Sequence, residues 1–159
     1  MDILKFVFAV FLAFVPGFLG VMVAPLAEGD NFWYSTLVAS ELTPAAWVFS
    51  AVWTILYLLI GIALYLVMRN HNNVGRNKLI NAYMWFGLNL IFNVLWSFTF
   101  FGMHALEYAL AVLFALIIIA IFMVRSFMKV NNAAGWLIVP YVIWLMFAFY
   151  LNAMIVYLN

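Results

Sequence analysis

The sequence has no cysteine, and only six basic and five acidic side chains among its 159 residues. The missing thiols exclude disulfides, iron–sulfur clusters and thiolate metal sites. The scarcity of charge excludes a water-soluble globule, in which about a quarter of residues are ordinarily charged. A formal net charge of +1 leaves no basic patch for nucleic acid, whose phosphates demand one. Disorder is excluded too, because it needs low hydrophobicity and high net charge, whereas 71% of this chain is hydrophobic. There is no carboxylate pair, no Ser/His/Asp set and no glycine-rich phosphate loop. His71 and His104 fall at loop positions with no second ligand at metal spacing.

Long apolar runs are what the sequence does contain. Five of them cover about 3–26, 44–68, 79–101, 105–128 and 133–158. Each is long enough for the ~20 residues that cross a bilayer core of ~30 Å. Runs such as Leu113–Ile119 do not alternate in polarity as barrel strands do, and a helix satisfies its own backbone in hydrocarbon. The expectation is an all-α integral membrane protein, a single bundle of five transmembrane helices forming one domain over 1–159. The first run exceeds the roughly 7–15 apolar residues of a signal peptide and reads as a retained helix.

Charge placement agrees with five spans. Lys5, Arg69, Arg76, Lys78, Arg125 and Lys129 all fall on one side of such a bundle, while Glu28, Asp30, Glu41 and Glu107 fall on the other. The positive-inside rule then puts the N-terminus inside and the C-terminus outside. The first connection, 27–43, is the longest and carries Phe32-Trp33-Tyr34. Long loops are often lids or binding loops, although Trp and Tyr there also suit interfacial anchoring.

Polar and aromatic side chains gather on particular faces. The third span carries Asn89, Asn93 and Ser97 at successive steps of four, with Trp85 and Trp96 placed on the same side. The second carries Trp53, Tyr57 and Gly61 at that step, and the fifth Tyr141, Trp144, Ala148 and Asn152. These stripes are read either as glue between helices or as the wall of a pocket for a flat apolar ligand, held by stacking and a few neutral hydrogen bonds. Spacing leaves both open. An ion pathway would need acids or bases inside the membrane, and the central spans supply none. The fourth span, nearly aliphatic from Ala109 to Val124, can face lipid. Ala9, Ala13, Gly17, Gly20 and Ala24 give the first span a small-residue side for close packing, inside the bundle or at a dimer seam. Pro16 and Pro140 lie inside spans, where proline favours a kink. A weak sterol-type pattern occurs as Leu59, Tyr65 and Arg69.

The segment Thr43-Pro44-Ala45-Ala46-Trp47-Val48-Phe49, continuing through Trp53, Tyr57, Gly61 and Tyr65, resembles the translocator protein family, whose bacterial members are tryptophan-rich sensory proteins. Trp33-Tyr34, the block Asn89, Asn93, Trp96-Ser97, Phe100-Phe101, and the block Pro140-Tyr141, Trp144, Ala148, Leu151-Asn152 agree in order and spacing. The resemblance implies a five-helix, often dimeric protein of a bacterial or archaeal cell membrane that binds porphyrins, sterols and benzodiazepine-site ligands beneath the first loop. It assigns ligand binding to Tyr34, Trp47, Trp53, Tyr57, Asn89, Asn93, Trp96, Ser97, Tyr141, Trp144 and Ala148. The implied ligand or substrate is a porphyrin such as protoporphyrin IX, with no further cofactor required. Membrane lipid or sterol is a second partner. Light-dependent porphyrin breakdown is the implied enzymatic extension, with Trp53, Trp96 and Trp144 as photo-redox partners. Transport or sensing of a lipophilic molecule without chemistry is the alternative. In the first loop Ser40 and Ala45 stand where the family has proline and Leu42 where it has an aromatic residue. With two prolines fewer, the loop is expected to be less pre-organised.

Overall fold

Backbone groups that find no water in hydrocarbon must pair within their own segment, and the apolar runs do so. The computed structural model describes residues 2–26 and 33–159. It contains α1 (Ile3–Leu26), a one-turn α2 (Trp33–Thr36), α3 (Ala46–Arg69), α4 (Arg76–Ser97), α5 (Leu106–Met128) and α6 (Asn132–Leu158). All except α2 are long and apolar enough to cross a membrane, and the described residues form no strand. The chain is an all-α integral membrane protein. Glu28, Asp30 and Phe32 of the first connection lie outside the described residues.

The helix ends have local causes. Asn131 caps α6 by accepting the Ala134 N–H at 3.1 Å. Ala45, extended at φ −58° and ψ 147°, delays the start of α3 to Ala46. α4 departs from the expected span: its α-helical winding stops at Ser97, and Phe98–Gly102 form a π-turn. There the Met103 N–H reaches back to the Phe98 carbonyl at 2.9 Å. Thr99 donates its hydroxyl to the Leu95 and Trp96 carbonyls at 2.9 and 3.0 Å, a back-bond that competes with the helical ladder and bends it. Both Pro16 and Pro140 stay inside continuous helices.

The long helices close a ring in the order α1, α3, α6, α5, α4 and back to α1. Its interior is where the second, third and fifth spans direct their polar stripes. α1 closes the ring with its small-residue side: Ala9 and Ala13 are fully buried. A Cβ on Gly17 would stand 2.8 Å from Tyr57 Cε2, and one on Gly61 would stand 2.8 Å from the Val10 Cα. Ala9, Ala13 and Gly17 of the small-residue stripe therefore serve approach inside the bundle, while the side chain of Ala24 lies outside what is described. α5 is two-sided, with Phe114, Ile118 and Phe122 outward while Leu113, Leu116, Ala120, Met123 and Phe127 are buried. An aliphatic helix serves lipid and core with the same chemistry, so composition did not reveal that second face.

The contact at Gly61 meets backbone, which cannot turn aside as a side chain does. Gly61→Ala is expected to cost about 1–3 kcal/mol by overpacking, read as a lower thermal midpoint in detergent. Gly87→Ala, with nothing within 4 Å of the added carbon, should leave the midpoint unchanged or raise it.

Candidate functional site

An uncapped amide or hydroxyl in hydrocarbon is costly, and at the middle of the ring four side chains answer for one another. Tyr57 on α3 donates its hydroxyl to Asn93 Oδ1 at 3.0 Å. Asn93 and Asn89, one turn apart on α4, both donate from Nδ2 to the Tyr141 hydroxyl on α6, at 2.9 and 3.1 Å. The Tyr141 hydroxyl has Asn89 Oδ1 as its own acceptor at 3.5 Å. Ser97 donates to the Asn93 backbone carbonyl at 3.3 Å. All five residues are buried. The carboxamides that the stripes advertised are thus engaged inside the protein, joining three helices across the ring.

A cluster of rings sits directly above this network, toward the first loop. Trp53 lies 5.3 Å from Tyr57, stacks near-parallel on Trp96 at 6.4 Å, and meets Tyr141 edge-on at 6.2 Å. Trp96 continues onto Phe100 at 5.5 Å and Phe101 at 6.1 Å. Trp144 packs on Phe49 at 5.6 Å and on Phe147 at 5.4 Å, with buried Ala148 one turn further along α6. The indole Nε1 groups of Trp96 and Trp144 are buried with no hydrogen-bond partner among the described residues. Buried donors are ordinarily paired, so each such orphan calls for an acceptor that the described residues do not supply.

The described part of the first loop, from Trp33 onward, lies over this cluster. Tyr34 of α2 touches Phe100 and Phe101 at 6.0 and 6.4 Å, and burial pushes its phenol pKa up. Trp33 stacks on the His104 imidazole at 4.1 Å and 14°, with Phe100 at its edge. His104 holds φ at 54°, the left-handed region that histidine tolerates better than most residues. The loop is fastened by polar bonds. The Asn159 side chain accepts from the Val38 N–H and donates to the Val38 carbonyl, both at 3.0 Å. Ser40 meets the Tyr150 hydroxyl at 3.4 Å and closes a local turn by accepting the Leu42 N–H at 3.2 Å.

Of the residues assigned to ligand binding from the sequence, Tyr34, Trp53, Tyr57, Asn89, Asn93, Trp96, Ser97, Tyr141, Trp144 and Ala148 lie in the network, the ring cluster or its cover. Trp47 does not join them. It is 73% exposed, because six residues before Trp53 places it about 120° round α3 from the inward face. Trp85 also leaves the stripe to stack on Phe122 of α5 at 4.8 Å. Asn152 turns aside and donates to the Leu106 carbonyl at 3.1 Å. Sequence reasoning missed Phe49 and His104 as ring partners, and the π-turn that carries Phe100 to the centre. Thr99 two residues after Ser97 was the available signal for that turn.

The chain is similar to known proteins along nearly its whole length. The model of the TspO/MBR family matches residues 8–158. The chain belongs to the TspO/MBR family. It is 34% identical to the tryptophan-rich protein TspO of Chlorobaculum tepidum, over 99% of this chain and 98% of that protein. It is 33% identical to the TspO of Archaeoglobus fulgidus, over 100% and 99%. With the translocator protein of Bos taurus it shares 27% identity over 91% of this chain and 85% of that one. In this family member the four central side chains are bonded to one another, and among the described residues two indole donors and the Asn152 Oδ1 are buried without a partner.

Tyr141→Phe removes the acceptor shared by two amides. Hydrogen bonds between membrane helices average roughly 0.6 kcal/mol each, so a loss of about 1 kcal/mol is expected, lowering the thermal midpoint by about 2–4 °C. Tyr150→Phe, which removes only a long surface contact, should shift it by less.

Proposed function

We propose that this chain is a membrane receptor for porphyrins and related planar apolar molecules, seated among α3, α4 and α6 beneath the first loop. Family membership supports the reading, and the observation that carries it is the pair of buried indole N–H groups on Trp96 and Trp144 that find no partner among the described residues. They flank a ring stack that offers further π-faces at Trp53 and Phe100. Because Asn89, Asn93 and the two tyrosines are bonded to one another, polar recognition of a guest falls to the indoles rather than to the amides. Room for the guest comes from ring contacts that part as the rings turn aside. No cofactor enters this reading. A bound porphyrin is ligand in the dark, and under light it is a substrate for breakdown beside Trp53, Trp96 and Trp144.

A second reading is carriage or sensing of a sterol-like molecule without chemistry. It is favoured by a cluster that presents no carboxylate and no amine among the described residues. Illumination separates the two: bound porphyrin that decays no faster than free porphyrin supports the second. For the receptor itself, porphyrin titrated into detergent-purified protein is expected to quench tryptophan fluorescence and shift the Soret band. Loss of one indole donor in Trp96→Phe or Trp144→Phe should weaken binding about fivefold, the worth of one hydrogen bond. Identical titration curves in both variants and the parent chain would rule the proposed seat out.

We also propose the orientation with the N-terminus inside and the C-terminus outside, supported by the clustering of all Lys and Arg at one end of the helices. The cysteine-free chain makes the measurement clean. In intact cells a membrane-impermeant thiol reagent is expected to label Ser35→Cys and to spare Asn72→Cys; the reverse pattern overturns the orientation.

A further inference from the structure

Two adjoining cavities of about 360 and 290 Å³ open at the end of the bundle opposite the ring cluster, between the ends of α1, α3 and α4. Lys5 and Arg69 line both; Tyr65 and Asp2 belong to the first, His71 and Tyr83 to the second. Lys5 holds Asp2 at 2.9 Å, with both side chains about half exposed. Arg69 has no ion-pair partner among the described residues. The helix directions bring Arg76, Lys78, Arg125 and Lys129 to this same end. Asp2 is the one described carboxylate there, since Glu41 and Glu107 lie at the other.

Tyr65 supplies an independent observation. It is only 6% exposed, its ring fixed edge-on against Phe6 at 5.5 Å. It lines the recess, and its hydroxyl has no hydrogen-bond partner among the described residues. A phenolic donor held in place beside an ammonium and an unpaired guanidinium is a set suited to anionic oxygens: the guanidinium offers a planar fork to phosphate and the hydroxyl offers a further donor.

We propose that this recess seats the phosphate of an anionic phospholipid headgroup. Phosphate oxygens are the shared chemistry of lipid and free anion, and the surroundings select the lipid. The recess opens where membrane-crossing helices end, beside the outward apolar side of α1, on which Leu4, Phe8 and Phe11 are 82%, 53% and 60% exposed. Acyl chains fit that side and a soluble anion gains nothing from it. Basic recesses between helix ends are the kind of site that holds lipid headgroups. The Leu59, Tyr65, Arg69 pattern ends here, but a sterol presents one neutral hydroxyl and leaves the Arg69 guanidinium without a counter-charge, Lys5 being paired with Asp2. The inference is independent of the porphyrin reading, involving none of the same residues.

The test uses the full chain in neutral detergent, with bound lipid counted by native mass spectrometry and stability followed by thermal shift. Phosphatidylglycerol is expected to be retained over phosphatidylcholine and to raise the thermal midpoint, with millimolar inorganic phosphate failing to compete. Lys5→Gln and Arg69→Gln should each weaken the phosphatidylglycerol preference about fivefold, as removal of one cation near a lipid surface does. Tyr65→Phe, which removes one oxygen and keeps the packing, should weaken it by a smaller factor and keeps the proposal testable if a charge variant fails to fold. Porphyrin quenching should be unchanged in all three. Equal retention of the two lipids, or a preference untouched by these substitutions, overturns the proposal. Competition by inorganic phosphate reassigns the recess to a soluble anion and overturns it as well, as does sterol binding that responds to Arg69→Gln while phosphatidylglycerol does not.

Discussion

The arrangement of this bundle depends on the hydrogen bonds that Tyr57, Asn93, Tyr141 and Asn89 exchange across its centre. In lipid, helices gain no hydrophobic free energy by associating, since lipid tails are as apolar as leucine. What distinguishes one packing from another is close contact and the pairing of polar groups that hydrocarbon cannot satisfy. Any rotation of α4 that turned Asn89 and Asn93 outward would leave two amides and two phenols unpaired. The network fixes the rotation of α3, α4 and α6 together, and the stepping of four along α4 then decides what lies above it. Trp96 and Ser97 must face the ring interior because Asn93 does.

The same register sets the limits of the ring cluster. Trp53 is one turn from Tyr57 and is carried inward with it, whereas Trp47 is carried out. On α4 the regular winding would have continued one more turn. The Thr99 back-bonds and the π-turn instead place Phe100 beneath Trp33 and Tyr34. The cover over the cluster is then held from two directions, by rings below and by the Asn159 and Tyr150 side chains at the far end of α6. Ser40 contributes hydrogen bonds to the cover, with the Tyr150 hydroxyl and the Leu42 N–H. Leu42, where the family has an aromatic residue, is 63% exposed and adds no ring to the cover. A loop fastened by exchangeable polar bonds pays its ordering entropy at closure, whereas proline would have reduced that entropy beforehand.

Much of this was legible in the residues. Five long apolar runs separated by charge gave the helix count and their approximate ends, because hydrocarbon admits few alternatives. The steps of four on α4 and α3 identified the inward faces. What the pattern did not reveal was how the polar groups would be paired. Asn89 and Tyr141 are each equally able to meet a ligand or a neighbouring helix, and only their mutual distance of 3.1 Å decides between these. Trp85 shows the same limit: it shares the stepping of the stripe, yet the place of α5 beside α4 draws it onto Phe122. Local winding was the other blind spot, since a threonine near a helix end is compatible with either a cap or a bend.

With Asn89 and Asn93 committed, a guest of the proposed kind would displace ring–ring contacts, each worth about 0.5–1.5 kcal/mol, and would have to replace them. An aromatic plane can do so on both faces and can also bring an acceptor to an indole N–H. An alicyclic guest fills space, and its hydroxyl can accept an indole N–H, but it does not return the stacking. In the receptor reading proposed above, the central network would act on specificity without touching the guest: with Asn89 and Asn93 bonded to Tyr57 and Tyr141, flatness and acceptors placed for the two indole N–H groups are the features left for the cluster to reward.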